Sequence, residues 1–429
     1  MSNKFIKIVI VAMAAIYVRG SFAAVWVEAS RKDYRYRVGE EVVFTLYSSE
    51  DVTSGVMKVR LDNFGTNVLS EAKWELASNH VFKMSGRLGE PGFMRVMLSD
   101  KRGVAWPAES VMVEPYKIRP ACDEPGDFEA YWSAARAKLA ADVPLDAKVE
   151  KVVARSTKEF NFYRISFATF GRRVYGFMSV PEDASAAKKY PVHFEVPGAG
   201  LGVWSQDMEG AADEIRVFMT VYDWPPMWDD LKGAKEKYDV MNRAAREKWG
   251  VGFYCQAGIS EGRESYYYYS VLLGIDRVVD WVAARADVDL ERFRYSGTSQ
   301  GGTFGLYLAG LNKHFTRVVV YVPGADLLAN VRAGRQAGCP YVVEAQKDAR
   351  GKSAAEKWAP YFDAANFGRH IEVPIRFVCG SVDMVCAPAS VWAAFNVCPS
   401  KDKDIEVGYK MGHDTRREFY ERYEAWLRE

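Results

Sequence analysis

The sequence predicts a mixed α/β architecture, in which a mostly parallel sheet carries helices on both faces and a small immunoglobulin-like β-sandwich precedes it. Two observations lead to this prediction. Beyond residue 127, runs of strand length alternate with helical patterns, as in parallel sheets with crossover helices. Before residue 113, short alternating runs recur about every ten residues between turn residues, which is typical of a β-sandwich.

The charge balance excludes one large class of function. The 429 residues include 57 Lys or Arg and 56 Asp or Glu, so the formal net charge is +1. A nucleic-acid-binding protein needs a basic surplus to neutralise phosphates, and we therefore expect no nucleic-acid partner. Hydrophobic residues make up 49% and charged residues 26%, which indicates an ordinary globular protein of about two or three domains.

Residues 1–24 have the pattern of a secretory signal peptide. Lys4 and Lys7 lead into an apolar run at residues 8–18, and Ser21-Phe22-Ala23 offers a cleavage site after Ala23 or Ala24. A membrane anchor is the alternative, but this run is shorter than the roughly 20 residues that a span needs. We therefore expect a periplasmic or secreted protein without stable membrane insertion.

The cysteines and histidines indicate neither a disulfide scaffold nor a metal site. The six Cys and five His include no CxxC motif and no pair at zinc-ligand spacing. We expect no metal and no other cofactor. An oxidising compartment would allow one or two disulfides, but the spacing does not pair the cysteines. A homo-oligomer is compatible with the sequence, and the oligomeric state is left open.

The β-sandwich is assigned to residues 25–115 and a linker to 116–126. Strand-like runs fall at residues 42–46, 57–61, 74–76, 81–84 and 93–98. This part has no clustered His or carboxylates and no Gly-rich loop, so we assign it no chemistry. A spacer or docking role is favoured over carbohydrate binding. The linker region is marked by three prolines, Pro115, Pro120 and Pro125.

Residues 127–429 are assigned to the α/β domain. Asp127 is expected to cap its first helix. Strands are expected at residues 174–180, 192–196, 294–296, 317–322 and 375–378, and a final helix at 415–427. One apolar helical face is formed by Val271, Leu272, Ile275, Val278, Val279 and Val282.

Ser299 is the candidate nucleophile. Residues 297–302 read GTSQGG, which fits the G-x-S-x-G turn between a strand and a helix in serine hydrolases. Glycine is needed on both sides of the serine because side chains there would collide with neighbouring backbone. A second match, GISEG at residues 258–262, follows a strand-like run at 251–255. Ser260 is less favoured because Glu261 would repel a developing oxyanion.

His413 is the candidate base and Asp383 the candidate acid. The acid and the histidine follow the serine along this type of chain. His413 lies in a loop before the last helix, whereas His370 precedes a strand and belongs at the opposite sheet edge. Asp383 directly follows the strand at 375–378, where it would hold the imidazole. Asp326 is the alternative acid.

Several stretches together resemble the acetyl xylan esterase/cephalosporin C deacetylase family. They are GTSQGG at 297–302, YFDAANF at 361–367, DMVCAP at 383–388, VWAAFN at 391–396 and GHD at 412–414. The likeness covers about residues 120–429. It implies an α/β-hydrolase fold and removal of acetyl groups from sugar hydroxyls by Ser299, His413 and Asp383. Two departures are DWPPMW at 223–228, where the family has Arg-Gly-Gln, and Asp414, where it has Glu.

The oxyanion hole is expected to use two backbone N–H groups. One belongs to Gln300, the residue after the nucleophile. Position in the family motif implies Ala199 for the other, with Gly198 as the alternative. Near the expected site, stacking on sugars and ordinary packing are both open for several aromatic residues, namely Trp204, Trp224, Trp228 and the tyrosines at 266–269.

The function that we predict is deacetylation of an acetylated carbohydrate, such as xylan or an oligosaccharide, by an exported serine esterase with an acyl-enzyme intermediate. A serine peptidase, or an esterase for bulkier acyl groups, is one alternative because the fold hosts many chemistries. A catalytically inactive carbohydrate-binding protein is the other.

Overall fold

The computed structural model describes residues 25–49, 55–76, 79–200, 210–227, 229–347 and 351–429. The predicted signal peptide and two of the aromatic residues named above, Trp204 and Trp228, lie outside these ranges. Within them, no helix is long and apolar enough to cross a membrane.

The N-terminal part consists of two sheets that share one hydrophobic cluster. The first sheet is antiparallel, in the order β1 (Val25–Ala29), β3 (Val42–Ser48) and β6 (Val81–Gly86). The second sheet has the order β2 (Arg35–Tyr36), β8 (Ala105–Val113), β7 (Gly92–Ser99), β4 (Val56–Asp62) and β5 (Val68–Glu75). Phe44 and Leu46 from the first sheet lie in the same cluster as Val59 and Val96 from the second. The five predicted strand runs lie in or overlap these strands, whereas β1, β2 and β8 were not anticipated. The domain boundaries stay predictions.

Strand β7 is buried on both faces. Met94 and Val96 point into the cluster between the two N-terminal sheets. Phe93 lies in the main hydrophobic core together with side chains from the C-terminal part, and Arg95 is only 3% exposed. A strand that is covered on both faces has apolar residues at most positions, which explains why polar and apolar residues hardly alternate at 93–98. The second N-terminal sheet therefore packs directly against the rest of the protein.

The C-terminal part is built on a nine-stranded sheet in the order β17, β16, β15, β14, β12, β13, β11, β10, β9. Six neighbouring strands run parallel: β13 (Ile215–Met219), β12 (Tyr190–Val196), β14 (Val288–Thr298), β15 (Arg317–Tyr321), β16 (Ile375–Gly380) and β17 (Lys403–Gly408). Three antiparallel strands complete one edge: β11 (Arg172–Pro181), β10 (Phe160–Thr169) and β9 (Lys148–Lys151). The predicted mostly parallel sheet is confirmed.

Eight helices of the described residues accompany this sheet. They are α1 (Phe128–Asp142), α2 (Leu231–Trp249), α3 (Tyr267–Ala283), α4 (Gln300–Leu311), α5 (Ala329–Ala333), α6 (Ala364–Gly368), α7 (Pro388–Val397) and α8 (Arg417–Arg428). Alternate residues of β15 show that helices cover both faces. Val318 and Val320 lie in the core that contains α4, whereas Val319 and Tyr321 contact α8.

Two local predictions were wrong. Residues 251–255 do not form a strand, because the Gln256 side chain accepts the N–H groups of Gly252 and Phe253, and a short 3-10 helix, Tyr254–Gln256, follows. Helix α1 does begin after Asp127, but this carboxylate does not cap it. It accepts the Tyr361 hydroxyl instead, and that hydrogen bond, followed by Arg263, lowers the pKa of Asp127.

Candidate active site

Ser299 lies at a sharp turn between the end of β14 and the start of α4. Its backbone has φ 58° and ψ −116°, a conformation that non-glycine residues rarely adopt. The Ser299 N–H donates to the Tyr321 carbonyl at the end of the neighbouring strand β15, 2.8 Å away. A strained backbone held by its surroundings is characteristic of functional positions.

The glycines around Ser299 are required by close backbone contacts. A Cβ at Gly297 would lie 2.6 Å from the backbone carbonyl of Gly301. A Cβ at Gly301 would lie 1.9 Å from the Val196 oxygen, at the end of β12. No side chain fits at either position, which is the physical reason that was expected for the motif.

The structure brings Ser299, His413 and Asp383 together. His413 Nε2 lies 2.8 Å from Ser299 Oγ, and His413 Nδ1 lies 2.8 Å from Asp383 Oδ2. A carboxylate only accepts, so Nδ1 carries the proton and Nε2 is free to accept the serine hydroxyl. Asp383 is fully buried, and its other oxygen accepts the N–H groups of Val385 and Cys386 at 2.7 and 2.9 Å.

The surroundings of His413 raise its pKa. Burial has the largest effect and lowers the pKa, but the charge of Asp383, its hydrogen bond and the charge of Asp414 together outweigh burial. The charged imidazolium is therefore stabilised, as a base that takes a proton from serine requires. The His413 side chain is 26% exposed, so it can also be reached from solvent.

The alternative site residues are engaged elsewhere. His370 lies between two carboxylates, 2.6 Å from Glu124 and 3.0 Å from Glu129. Asp326 is fully buried, pairs with Arg335 at 2.7 Å and accepts the Ala121 N–H. Ser260 lies in a single 3-10 turn, Ile259–Glu261, and not at the junction of a strand and a helix.

The two expected oxyanion donors line the same small cavity as Ser299. Gln300 is the first residue of α4, and Ala199 follows β12. Among the described residues, neither N–H has a hydrogen-bond acceptor in the protein. The cavity has a volume of about 10 Å³, and its other lining residues are Cys255, Tyr268, Thr303, Cys339, Pro340 and Cys386. This is room for about one water molecule.

The Gln300 side chain is fixed by two tyrosines that sequence reasoning did not identify as site residues. Its oxygen accepts the hydroxyls of Tyr254 and Tyr268 at 2.6 and 2.7 Å. Burial raises the pKa of both tyrosines, so both stay protonated and donate. The Gln300 amide nitrogen lies 3.4 Å from the carbonyl of Pro197, which begins the loop of Ala199. No local motif signals this arrangement, since Tyr254 is 46 positions from Gln300.

Apart from Tyr268, which holds Gln300, the described aromatic residues that were expected near the site are packing residues. The four tyrosines at 266–269 are buried. The Tyr266 hydroxyl donates to Cys255 O and the Tyr267 hydroxyl to Val221 O. Trp224 is 8% exposed and stacks on Tyr222 with ring centroids 4.7 Å apart. None of these side chains presents a free ring face for stacking on a sugar.

Comparison with known proteins gives a consistent result. A family model described as acetyl xylan esterase (AXE1) matches residues 111–429. The acetyl esterase Axe7A of Xylanibacter ruminicola is 27% identical over 382 residues, which are 87% of this chain and 83% of that protein. Among solved structures, the acetyl xylan esterase of Paenibacillus sp. R4 superposes with a TM-score of 0.61 at 21% identity, covering 73% of this chain and 98% of its own.

A second solved structure supports the same fold. Acetyl xylan esterase 1 of Thermoanaerobacterium sp. JW/SL YS485 superposes with a TM-score of 0.59 at 21% identity, over 73% of this chain and 96% of its own. At this level of identity the likeness establishes the fold, and the predicted α/β-hydrolase fold is confirmed.

Proposed function

The chain belongs to the acetyl xylan esterase family and is a carboxylic ester hydrolase, and from this premise we propose that it deacetylates carbohydrate through Ser299, His413 and Asp383. One observation carries the proposal: the continuous hydrogen-bonded line from Ser299 Oγ through the His413 ring to the buried Asp383 carboxylate. An acetylated xylan or oligosaccharide is the proposed substrate.

In the first half of the reaction, Ser299 Oγ attacks the acetyl carbonyl while His413 Nε2 takes its proton. The oxyanion that forms accepts the N–H groups of Gln300 and Ala199. Donors that are already in place stabilise this charge without reorganisation. His413 then gives its proton to the sugar oxygen, the sugar alcohol leaves, and acetyl-Ser299 is left.

In the second half, water takes the position of the sugar alcohol. His413 Nε2 accepts a proton from this water, whose oxygen attacks the acetyl carbon through a second oxyanion. Collapse of that intermediate breaks the bond to Ser299 Oγ, which regains its proton from His413, and acetate leaves. Asp383 accepts the Nδ1–H and stabilises the imidazolium in both halves.

The small cavity beside Ser299 supports an acetyl group over a longer acyl group. Its volume of about 10 Å³ suits a methyl group, and most of its lining residues, among them Tyr268 and Gln300, are buried. A longer acyl chain does not fit within this volume. The serine peptidase and bulky-ester alternatives are therefore less favoured than the deacetylase.

Export remains part of the proposal and rests on residues 1–24 alone. The basic start, the apolar run and the small residues up to Ala24 support it. Sequencing the N-terminus of the protein after expression in a host with an export pathway tests it. A mature chain that begins at Ala24 or Val25 supports export, whereas an intact Met1 in the soluble cell fraction contradicts it.

The deacetylase proposal is tested by acetate release from acetylated xylan and acetylated oligosaccharides, and by p-nitrophenyl esters of increasing acyl length. We expect acetate release by the native protein, a fall in kcat/KM beyond acetyl, and loss of both activities in Ser299→Ala. The matched control Ser260→Ala changes the serine of the other G-x-S-x-G match and should keep full activity. Equal rates on long esters would favour the bulky-ester alternative, and no hydrolysis at all would favour the inactive binding protein.

A further inference from the structure

The N-terminal sheets contact the two loops that carry Asp383 and His413. Strands β7 and β8 pair so that Arg95 and Ser110 are direct neighbours across the ladder. Both side chains are buried, at 3% and 1% exposure, and both leave the N-terminal part to reach the turn around Asp383. Buried polar side chains are retained only with hydrogen-bond partners, so the partners of Arg95 and Ser110 show what these two residues hold.

Ser110 holds the backbone two positions before the candidate acid. Its hydroxyl donates to the carbonyl of Ser381. The Ser381 hydroxyl in turn accepts the N–H of Lys410, 2.8 Å away, and the Ser381 N–H donates to the Gly408 carbonyl at 3.0 Å. Ser381 is thus bonded both to the N-terminal sheet and to the segment that leads to His413.

Arg95 holds the residue that follows the candidate acid. Its guanidinium forms two hydrogen bonds with the fully buried Asp62, both at 3.0 Å, and this bidentate pair fixes its orientation. The remaining terminal nitrogen lies 2.7 Å from Met384 Sδ. Asp383 therefore has a residue anchored to the N-terminal sheet on each side of it.

The turn between β4 and β5 adds a third attachment. Phe64 is fully buried in the core of the C-terminal part, and its carbonyl accepts the Gln336 N–H at 2.8 Å. The Gln336 amide then donates to the Met384 carbonyl, 2.5 Å away. This turn reaches the same segment as Arg95 and is linked to Arg95, because the Phe64 N–H donates to Asp62 at 2.9 Å.

The base loop is attached directly as well. Lys410, three residues before His413, donates to the Val27 carbonyl at 3.1 Å and pairs with the buried Glu109 at 3.4 Å. The acid and base loops also touch each other, since a Cβ at Gly380 would lie 2.2 Å from the Gly412 oxygen. A contact that holds one of these loops in place therefore also restricts the position of the other.

We propose that the N-terminal β-sandwich is a positioning element of the active site, with Ser110 and Arg95 holding the turn of Asp383 and thereby the orientation of His413. The proposal rests on the triad proposed above. It replaces the spacer or docking role that the sequence favoured. Ser110 and Arg95 touch no reacting atom, and they act through Ser381 and Met384.

The test compares Ser110→Ala with Ser48→Ala in the full chain. Ser48 is also a buried serine of the N-terminal sheets, 5% exposed, but its hydroxyl pairs with His80 and lies on no path to the catalytic loops. The concentration of functional sites is measured by titration with an organophosphonate, so that a loss of folded protein does not count as a loss of rate. Steady-state kinetics on a small acetyl ester are then measured across pH.

We expect Ser110→Ala to lower kcat per titrated site about five-fold, the effect of one lost hydrogen bond, with KM within two-fold of the native value. The pH midpoint of kcat/KM should move down towards the ordinary histidine value, since the contact of His413 with Asp383 loosens. Ser48→Ala should change neither quantity. An unchanged kcat per site, or a lower kcat with an unmoved midpoint, would overturn the proposal.

If Ser110→Ala yields too little folded protein, a second variant tests the positioning role. Met384→Leu removes the sulfur that Arg95 contacts at nearly constant volume, and the same criteria apply to it. The triad itself is judged separately, by the titration of the native protein. If Ser299 is not labelled there, the proposed function fails, whereas labelled but unaffected variants reject only the positioning role.

Discussion

The two sides of the Ser299 hydroxyl are held in different ways. On the proposed oxyanion side, Gln300 is fixed by Tyr254 and Tyr268, which belong to the same part of the chain as Ser299. On the acid and base side, the turn of Asp383 is contacted by Arg95 and Ser110 from the N-terminal sheets. The family match begins at residue 111, so both of these contacts come from outside it.

Kinetic measurements can distinguish residues that hold the oxyanion donors from residues that hold Asp383. Residues that hold the oxyanion donors affect the stabilisation of the transition state but leave the imidazole environment unchanged. Residues that hold Asp383 affect the charge and hydrogen bond that raise the pKa of His413. Changes on the acid side should therefore move the pH profile, and changes on the oxyanion side should not.

The largest expected effect is that of Asp383→Asn. The amide can present its N–H to His413 Nδ1 and so favour the wrong imidazole tautomer, with Nε2 protonated and unable to accept the Ser299 proton. We expect kcat to fall on the order of 10⁴-fold. Steady-state kinetics on an acetyl ester check this, with Asp326→Asn as the control for the alternative acid. A larger loss in Asp326→Asn, measured on folded protein, would reverse the assignment.

An intermediate effect is expected for Tyr254→Phe combined with Tyr268→Phe. The pair leaves the Gln300 oxygen without donors and frees its backbone N–H to move, so that kcat should fall about 30-fold, for two hydrogen bonds of about 1 kcal/mol each. The midpoint of the pH profile should stay in place. Tyr266→Phe is the matched control, because its hydroxyl is buried nearby but donates to Cys255 O. If the midpoint of the pH profile shifted in the double variant, the residues that hold Gln300 would affect His413 as well, and the two sides could not be distinguished by pH dependence.

The smallest effect is a shift in pH dependence. Because the pKa of His413 is raised and only the neutral imidazole accepts a proton, kcat/KM should rise with pH through a midpoint above about 6.5. Asp414→Asn removes the third of the contributions that raise this pKa, and the midpoint should fall. Asp402→Asn, which changes an exposed carboxylate paired with Arg376, should leave it unchanged. A midpoint below 6.5 in the native protein would contradict a raised pKa of His413.

The sequence was sufficient where the requirement was local. The turn at Ser299 needs glycine at 297 and 301 because backbone atoms approach within van der Waals distance there. Six consecutive residues, 297–302, are enough to recognise this requirement. Asp383 could also be placed because it directly follows a recognisable strand, and His413 because it lies in the loop before the last helix. The alternation of strands and helices predicted the sheet itself.

The sequence was insufficient where partners are distant in the chain. The hydrogen bond from Ser110 to Ser381 joins residues 271 positions apart, and nothing near either serine indicates it. Residues 251–255 looked like a strand because they are apolar, yet the Gln256 side chain satisfies their backbone and makes pairing with a strand unnecessary. Asp127 had the right position for a helix cap, but the Tyr361 hydroxyl competes for its carboxylate.

Labelling of the native protein with a fluorophosphonate, followed by peptide mapping, shows whether Ser299 is the nucleophile. A serine activated by His413 and Asp383 attacks phosphorus, and the resulting adduct marks the nucleophile. We expect one label per chain, on the peptide that contains Ser299, formed at a rate that rises with the same pH midpoint as kcat/KM. Labelling of Ser260, or no labelling of a protein that still releases acetate, would contradict the assignment of Ser299 as the nucleophile.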